Sequence, residues 1–214
     1  IFAAWIFSLC IHEFSHAVVA YQGGDFTVKD KGYLSLNPLK FTDPMLSIGL
    51  PLLFLVIGGL GLPGGCVYIE RHLLRSRAWD CIVSLAGPFS NLVLAIVLAS
   101  PFYLGFVDAD TQNPLWNAIA FLVILQILAM LFNLIPVPGL DGFGAIAAWM
   151  DEEIRQRIYQ YSNIMFFGLI IIIWNVDIVG QILWGSVFFL GNFLGVPSEM
   201  AIRGLDEFMI FKRH

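Results

Sequence analysis

The chain has 214 residues, of which 58% are hydrophobic and only 13% charged, roughly half the charge of an ordinary soluble domain. That balance excludes a soluble globular enzyme and points to an integral protein of the bilayer. A net charge of −5 supplies no basic surface, so nucleic acid is not an expected partner.

The first apolar stretch, 1–21, carries the most informative pattern in the chain. His12-Glu13-Phe14-Ser15-His16 is an H-E-x-x-H motif inside a run apolar enough to cross a membrane. On a helix, residues four apart share a face, so His12 and His16 can offer imidazole nitrogens to one metal ion. Glu13 is turned by about 100° from His12, beside the metal, where it can reach water held there. One histidine on an apolar helix is more often a satisfied core residue. Two histidines and a glutamate at metal spacing are much harder to satisfy that way, and ionisable groups at membrane depth mark function. Because this stretch carries the motif, it is expected to stay in the mature protein and not act as a removed leader.

Residues 24–37 follow. Two short β-prone runs around Asp30-Lys31-Gly32 predict a β-hairpin whose edge could accept an extended peptide. The second apolar stretch, 44–62, is broken by Pro51, Gly58, Gly59 and Gly61, which suits a segment that dips into the membrane and returns. Lys29, Lys31 and Lys40 precede it, and Arg71, Arg75 and Arg77 follow it. Re-entrance would let every basic group, including Arg155, Arg157 and the C-terminal Arg203, Lys212 and Arg213, lie on the cytoplasmic side. The loop 101–114 has no Lys or Arg and carries Asp108 and Asp110.

The third stretch, 81–106, contains Ala86-Gly87-Pro88-Phe89-Ser90-Asn91. Gly87-Pro88 permits close helix approach and a local distortion. Asn91 places an amide in the membrane that needs a partner, either another helix or a substrate backbone. The fourth stretch, 115–135, ends in Asn133-Leu134-Ile135-Pro136-Val137-Pro138-Gly139-Leu140-Asp141-Gly142. Its prolines and glycines break the helix and turn the Asp141 carboxylate toward the interior. A catalytic zinc site needs three protein ligands and an open position, and Asp141 is the candidate third ligand. The helix 151–161 reads as surface. The stretch 163–194 has room for two short crossings split near Asn175-Val176-Asp177, and 199–214 reads as an amphipathic interfacial tail. Cys10, Cys66 and Cys81 lack C-x-x-C spacing and read as buried thiols. The expected fold is an all-α polytopic membrane protein of about five to six transmembrane or re-entrant segments plus the hairpin. Residues 1–145 form the catalytic core, and 146–214 add further helices and the tail.

Three motifs in this order, H-E-F-S-H at 12–16, A-G-P-F-S-N at 86–91 and N-L-I-P-V-P-G-L-D-G at 133–142, resemble the site-2 protease family of intramembrane zinc metalloproteases. Gly24-Asp25, Leu36-Asn37-Pro38, Asp43-Pro44 and Gly64-Gly65 add to the likeness. The resemblance implies one catalytic zinc ion held by His12, His16 and Asp141, with Glu13 as catalytic base. It places Asn91 and Asn133 near the substrate. It implies cleavage of a transmembrane protein within or near its membrane segment, as in regulated intramembrane proteolysis, from a site nearer the cytoplasmic side. The family motif commonly ends Asp-Gly-Gly, whereas Phe143 follows Gly142 here, and no PDZ-like or CBS-like domain is expected in this chain.

Other classes fit less well. Membrane H-E-x-x-H peptidases of other families resemble one another in a third ligand supplied by Glu, unlike the Leu-Asp-Gly setting of Asp141. A silent helix-binding scaffold needs no Glu13. A metal transporter would spread ionisable groups over several helices, whereas 163–194 carries only Asp177.

Overall fold

The computed structural model describes residues 1–37, 40, 67–108 and 111–208, and every described element is helical. In chain order these are α1 (Phe2–Gly23), α2 (Thr27–Asp30), a 3-10 turn at Arg71–Leu73, α3 (Arg77–Tyr103), α4 (Pro114–Asn133), α5 (Asp141–Ala147), α6 (Glu152–Tyr159), α7 (Ser162–Asn175), α8 (Asp177–Phe193) and α9 (Ser198–Phe208). Three of them, α1, α3 and α4, are long and apolar enough to cross a membrane. Counting the bent pairs α6–α7 and α8–α9 as one span each gives up to five. The two helices expected in 163–194 are present and part at Val176. The expected re-entrant segment 44–62 lies outside the described residues.

The expected hairpin at 24–37 is not there, and no β-strand occurs among the described residues. Local capping overrides the β propensity of this stretch. Gly24, at φ 117°, ends α1 in the left-handed region open to glycine. The fully buried Asp25 then accepts hydrogen bonds from the Thr27 N–H at 3.0 Å and the Thr27 hydroxyl at 2.6 Å, an Asx turn that seats α2. Val28 is fully buried against α1, and the Tyr33 N–H returns to the Val28 carbonyl at 2.9 Å.

The second Asp25 oxygen accepts from the Glu70 N–H at 2.8 Å, and Lys31 donates to the Tyr68 carbonyl at 3.1 Å and to Glu70 at 2.8 Å. The hydrogen bond with Glu70 raises the Lys31 ammonium above the ordinary lysine range. Residues 67–70 are thereby laid alongside the end of α1.

The long helices have legible ends. The Ser76 hydroxyl caps α3 by accepting from the Trp79 N–H at 3.3 Å, and Asn113 with Pro114 opens α4, its side chain accepting from the Leu115 N–H at 3.0 Å. The central helix is α4, apolar around its whole circumference and buried over most of its length. The fully or nearly fully buried alanines Ala95, Ala99 and Ala120 let α3 and α4 approach closely, the usual device where lipid offers no hydrophobic drive for helix association. Helix α9 folds back on α4. Gly204 sits so tightly on the Asn117 carbonyl that a β-carbon there would collide, and Asn117 donates to Glu207 at 3.0 Å. Exposed apolar side chains such as Val97, Phe167, Ile171 and Phe189 suit contact with lipid.

Among the described residues, three basic groups share one end of the bundle. Lys31 lies by Glu70, Arg71 pairs with Asp80 at the start of α3, and Arg155 of α6 lies 3.6 Å from the same carboxylate. Arg203 departs from the pattern expected of a wholly one-sided charge distribution. Its Nε lies 3.4 Å from Asn117, near the start of α4 at the opposite end.

Candidate metal centre

Helix α1 presents His12 and His16 on one face. Their rings meet edge to face, with centroids 4.8 Å apart and Nε2 atoms 3.1 Å apart. Asp141, the first residue of α5, brings Oδ2 to 3.2 Å from His12 Nε2 and Oδ1 to 3.4 Å from His16 Nε2. Three donors around one tetrahedral zinc at about 2.0–2.1 Å lie roughly 3.3–3.4 Å from one another. The three measured separations match that spacing, and His12, His16 and Asp141 are the metal-capable cluster found among the described residues.

Each donor is aimed by its helix. Pro88 lies inside α3 and has no N–H to donate to the Ser84 carbonyl, one residue after Val83. The Val83 carbonyl accepts a hydrogen bond from His16 Nδ1 at 2.7 Å. That bond puts the His16 proton on Nδ1 and leaves the Nε2 lone pair facing the site. The Asn91 amide nitrogen Nδ2, a donor, lies 3.1 Å from His12 Nδ1. The loop 134–140 returns the chain against the end of α4, and Gly142 lies so close to the Leu134 carbonyl that only glycine fits. This close approach brings Asp141 back over α1.

The residues fit a metal ion on three counts. The donor set is two imidazole nitrogens and a carboxylate, the choice zinc accepts. The Oδ2 of Asp141 is buried and makes no well-formed hydrogen bond, although it faces His12. Gly87 leaves open the space directly against both Nε2 atoms, where a β-carbon would collide with each.

Glu13 is 4% exposed and stands beside the cluster. The Val67 N–H donates to its carboxylate, and His12, His16 and Asp141 are its ionisable neighbours. Glu13 lies near the midpoint of α1, roughly 15 Å from either end at 1.5 Å per residue.

Known proteins similar to this chain carry zinc metalloprotease names. The chain is 41% identical over 207 residues to a provisionally named zinc metalloprotease, Rip2, of Mycolicibacterium smegmatis, covering 95% of this chain and 77% of that protein. The protein of the same name from Mycobacterium tuberculosis is 38% identical over 204 residues, with the same coverage. A provisionally named zinc metalloprotease, YwhC, of Bacillus subtilis is 30% identical over 185 residues, covering 84% of this chain and 81% of that protein. The chain belongs to the site-2 protease family of zinc metalloproteases. No protein-family model and no solved structure matches it.

In this site-2 protease His12, Glu13, His16 and Asp141 come together. Asn91 joins them, turned to the His12 ring. Asn133 is the half-buried last residue of α4, at the start of the loop that delivers Asp141. Two participants escape sequence reasoning, the Val83 carbonyl and the Val67 N–H. Both are backbone groups, which carry no residue-type signal. Gln126, 2% exposed, carries no sequence signal of its role either. It donates to Ser8 at 2.9 Å and ties α4 to α1 one turn before His12.

Proposed function

We propose that this integral membrane zinc protease hydrolyses a peptide bond within or near the transmembrane segment of a membrane-protein substrate, with His12, His16 and Asp141 as the zinc ligands and Glu13 as the base. The observation that carries the reading is the convergence of two imidazole Nε2 atoms and one carboxylate at 3.1–3.4 Å beside a buried glutamate. Zinc bound there supplies a Lewis acid that lowers the pKa of water toward about 7 and polarises the scissile carbonyl.

The chain's own residues do the rest. Glu13 takes the proton of the attacking water and later delivers it to the leaving amine. The Val67 N–H holds one lobe of that carboxylate, so the glutamate stays aimed without a second charged partner. His16 is held by the Val83 carbonyl and cannot swing away from the site. A helical substrate must unwind locally, because its peptide groups are paired and shielded inside the helix. Asn133, beside the loop that carries Asp141, is the candidate to hold the unwound backbone. The clustering of Lys31, Arg71 and Arg155 at the end of the bundle nearest α5 supports a site opening toward the cytoplasmic side.

Zinc content per chain, measured by elemental analysis after purification in detergent, tests the ligand set. The expected result is about one zinc for the wild type and strong loss for Asp141→Ala. Full zinc retention in Asp141→Ala would move the third ligand elsewhere. Cleavage of a reconstituted single-span substrate, present in the wild type and absent in the zinc-loaded Glu13→Gln variant, tests the activity and the base together.

A further inference from the structure

Val83, Gly87 and Asn91 are spaced four apart on α3, form one buried stripe, and lie along the two histidines of the antiparallel α1. The Val83 carbonyl accepts from the distal nitrogen of His16, Gly87 leaves space at both Nε2 atoms, and the Asn91 amide nitrogen Nδ2, a donor, lies 3.1 Å from the distal nitrogen of His12. We infer that Asn91 is a positioning residue for the metal, whose carboxamide sets the tautomer and ring angle of His12, and not primarily a substrate contact. The inference rests on the reading of His12 as a zinc ligand.

The chemistry explains why an amide stands here. A metal on His12 Nε2 needs the lone pair of that nitrogen, so the ring proton must sit on Nδ1 and requires an acceptor. The Val83 carbonyl meets this need for His16 and can only accept. A carboxamide carries a donor and an acceptor on one end and exchanges them by a half-turn about its last bond. Its Nδ2 stands toward Nδ1 here, the orientation that donates to a bare Nδ1, and a half-turn brings Oδ1 round to accept from Nδ1–H with metal bound, while the backbone stays still. Asn91 is 3% exposed, which shields either role from bulk solvent. Without it His12 would keep a buried Nδ1–H unpaired in the loaded state, a direct cost to metal binding.

Zinc affinity of the full chain in detergent, read by competition with a chromogenic chelator, tests this apart from activity. Asn91→Ala is expected to bind zinc about 10–100-fold more weakly. Asn91→Asp keeps the acceptor and is expected to bind no more weakly than the wild type. Its cobalt-loaded form is expected to show shifted visible absorption bands, because the altered group sits directly behind a ligand. Wild-type affinity in Asn91→Ala overturns the inference, and so does an unshifted cobalt spectrum in Asn91→Asp. If Asn91→Ala does not fold, the affinity and spectrum of Asn91→Asp decide. Asp141→Ala runs alongside. Zinc lost in that variant but kept at full affinity in Asn91→Ala defeats the role of Asn91 alone, whereas a wild type that binds no zinc defeats the ligand reading itself.

Discussion

Gly87 faces His16 so closely that a β-carbon at position 87 would collide with the imidazole Nε2. The collision point is the space a ligand-bound ion would share, so a methyl group there competes with the metal and with the packing of α3 on α1. Gly87→Ala is expected to lower zinc stoichiometry well below one per chain and to cost about 1–3 kcal/mol of stability through overpacking. Elemental analysis and thermal unfolding in detergent check both. Full zinc loading at wild-type stability would show that α3 does not approach α1 this closely.

Glu13 separates binding from chemistry. It lies beside the three donors and is not one of them, so Glu13→Gln should keep its zinc and lose about 10²–10⁴-fold in cleavage rate. A parallel loss of zinc and activity would instead make Glu13 part of the ligand set.

Asp25 acts at a distance from the site. Its carboxylate seats α2 and pins the Glu70 N–H, and the 67–70 segment so held supplies the Val67 N–H to Glu13. Asp25→Ala should therefore slow cleavage while leaving zinc content unchanged. It should also open residues 67–70 to limited proteolysis. An unaltered rate with new proteolytic cutting would mean that Glu13 does not depend on Val67.

Asp80 joins three elements at the basic end of the bundle. It is 5% exposed, pairs with Arg71 and lies 3.6 Å from Arg155. Removing the carboxylate leaves two guanidinium groups facing each other. Their side chains are 31% and 20% exposed, so water softens the loss to about 1–3 kcal/mol. Thermal unfolding of Asp80→Ala measures it, and an unchanged midpoint would reduce the cluster to surface pairs.

Metal removal gives a further check. Dialysis against a strong chelator should abolish cleavage, and stoichiometric zinc should restore it. Restoration is expected to fail in Asp141→Ala, where the carboxylate that completes the donor set is missing.

The helical periodicity of α1 was readable before any coordinates, because a residue's face on a helix depends only on its neighbours within a turn or two. The same holds for the proline-glycine break that frees Asp141 and for the split at Val176. The 24–37 segment departs from its sequence pattern because Val28 and Tyr33 carry β propensity, whereas the Asx turn at Asp25 and burial of Val28 against α1 decide the conformation. Propensity is worth tenths of a kcal/mol, and a fully buried capping carboxylate with three hydrogen bonds outweighs it.

By itself the amino-acid sequence determined the class of protein, the metal-capable pair on one helical face, the glutamate beside it and the acidic third candidate, since residue identity and short-range spacing suffice for each. Tertiary structure alone decided who aims those groups. The Val83 carbonyl behind His16, the amide of Asn91 behind His12, the Val67 N–H on Glu13 and the gap left by Gly87 all come from how α3 and residues 67–70 lie against α1. Backbone donors and a missing side chain leave no mark in a residue pattern, and their partners are set by packing between segments far apart in the chain.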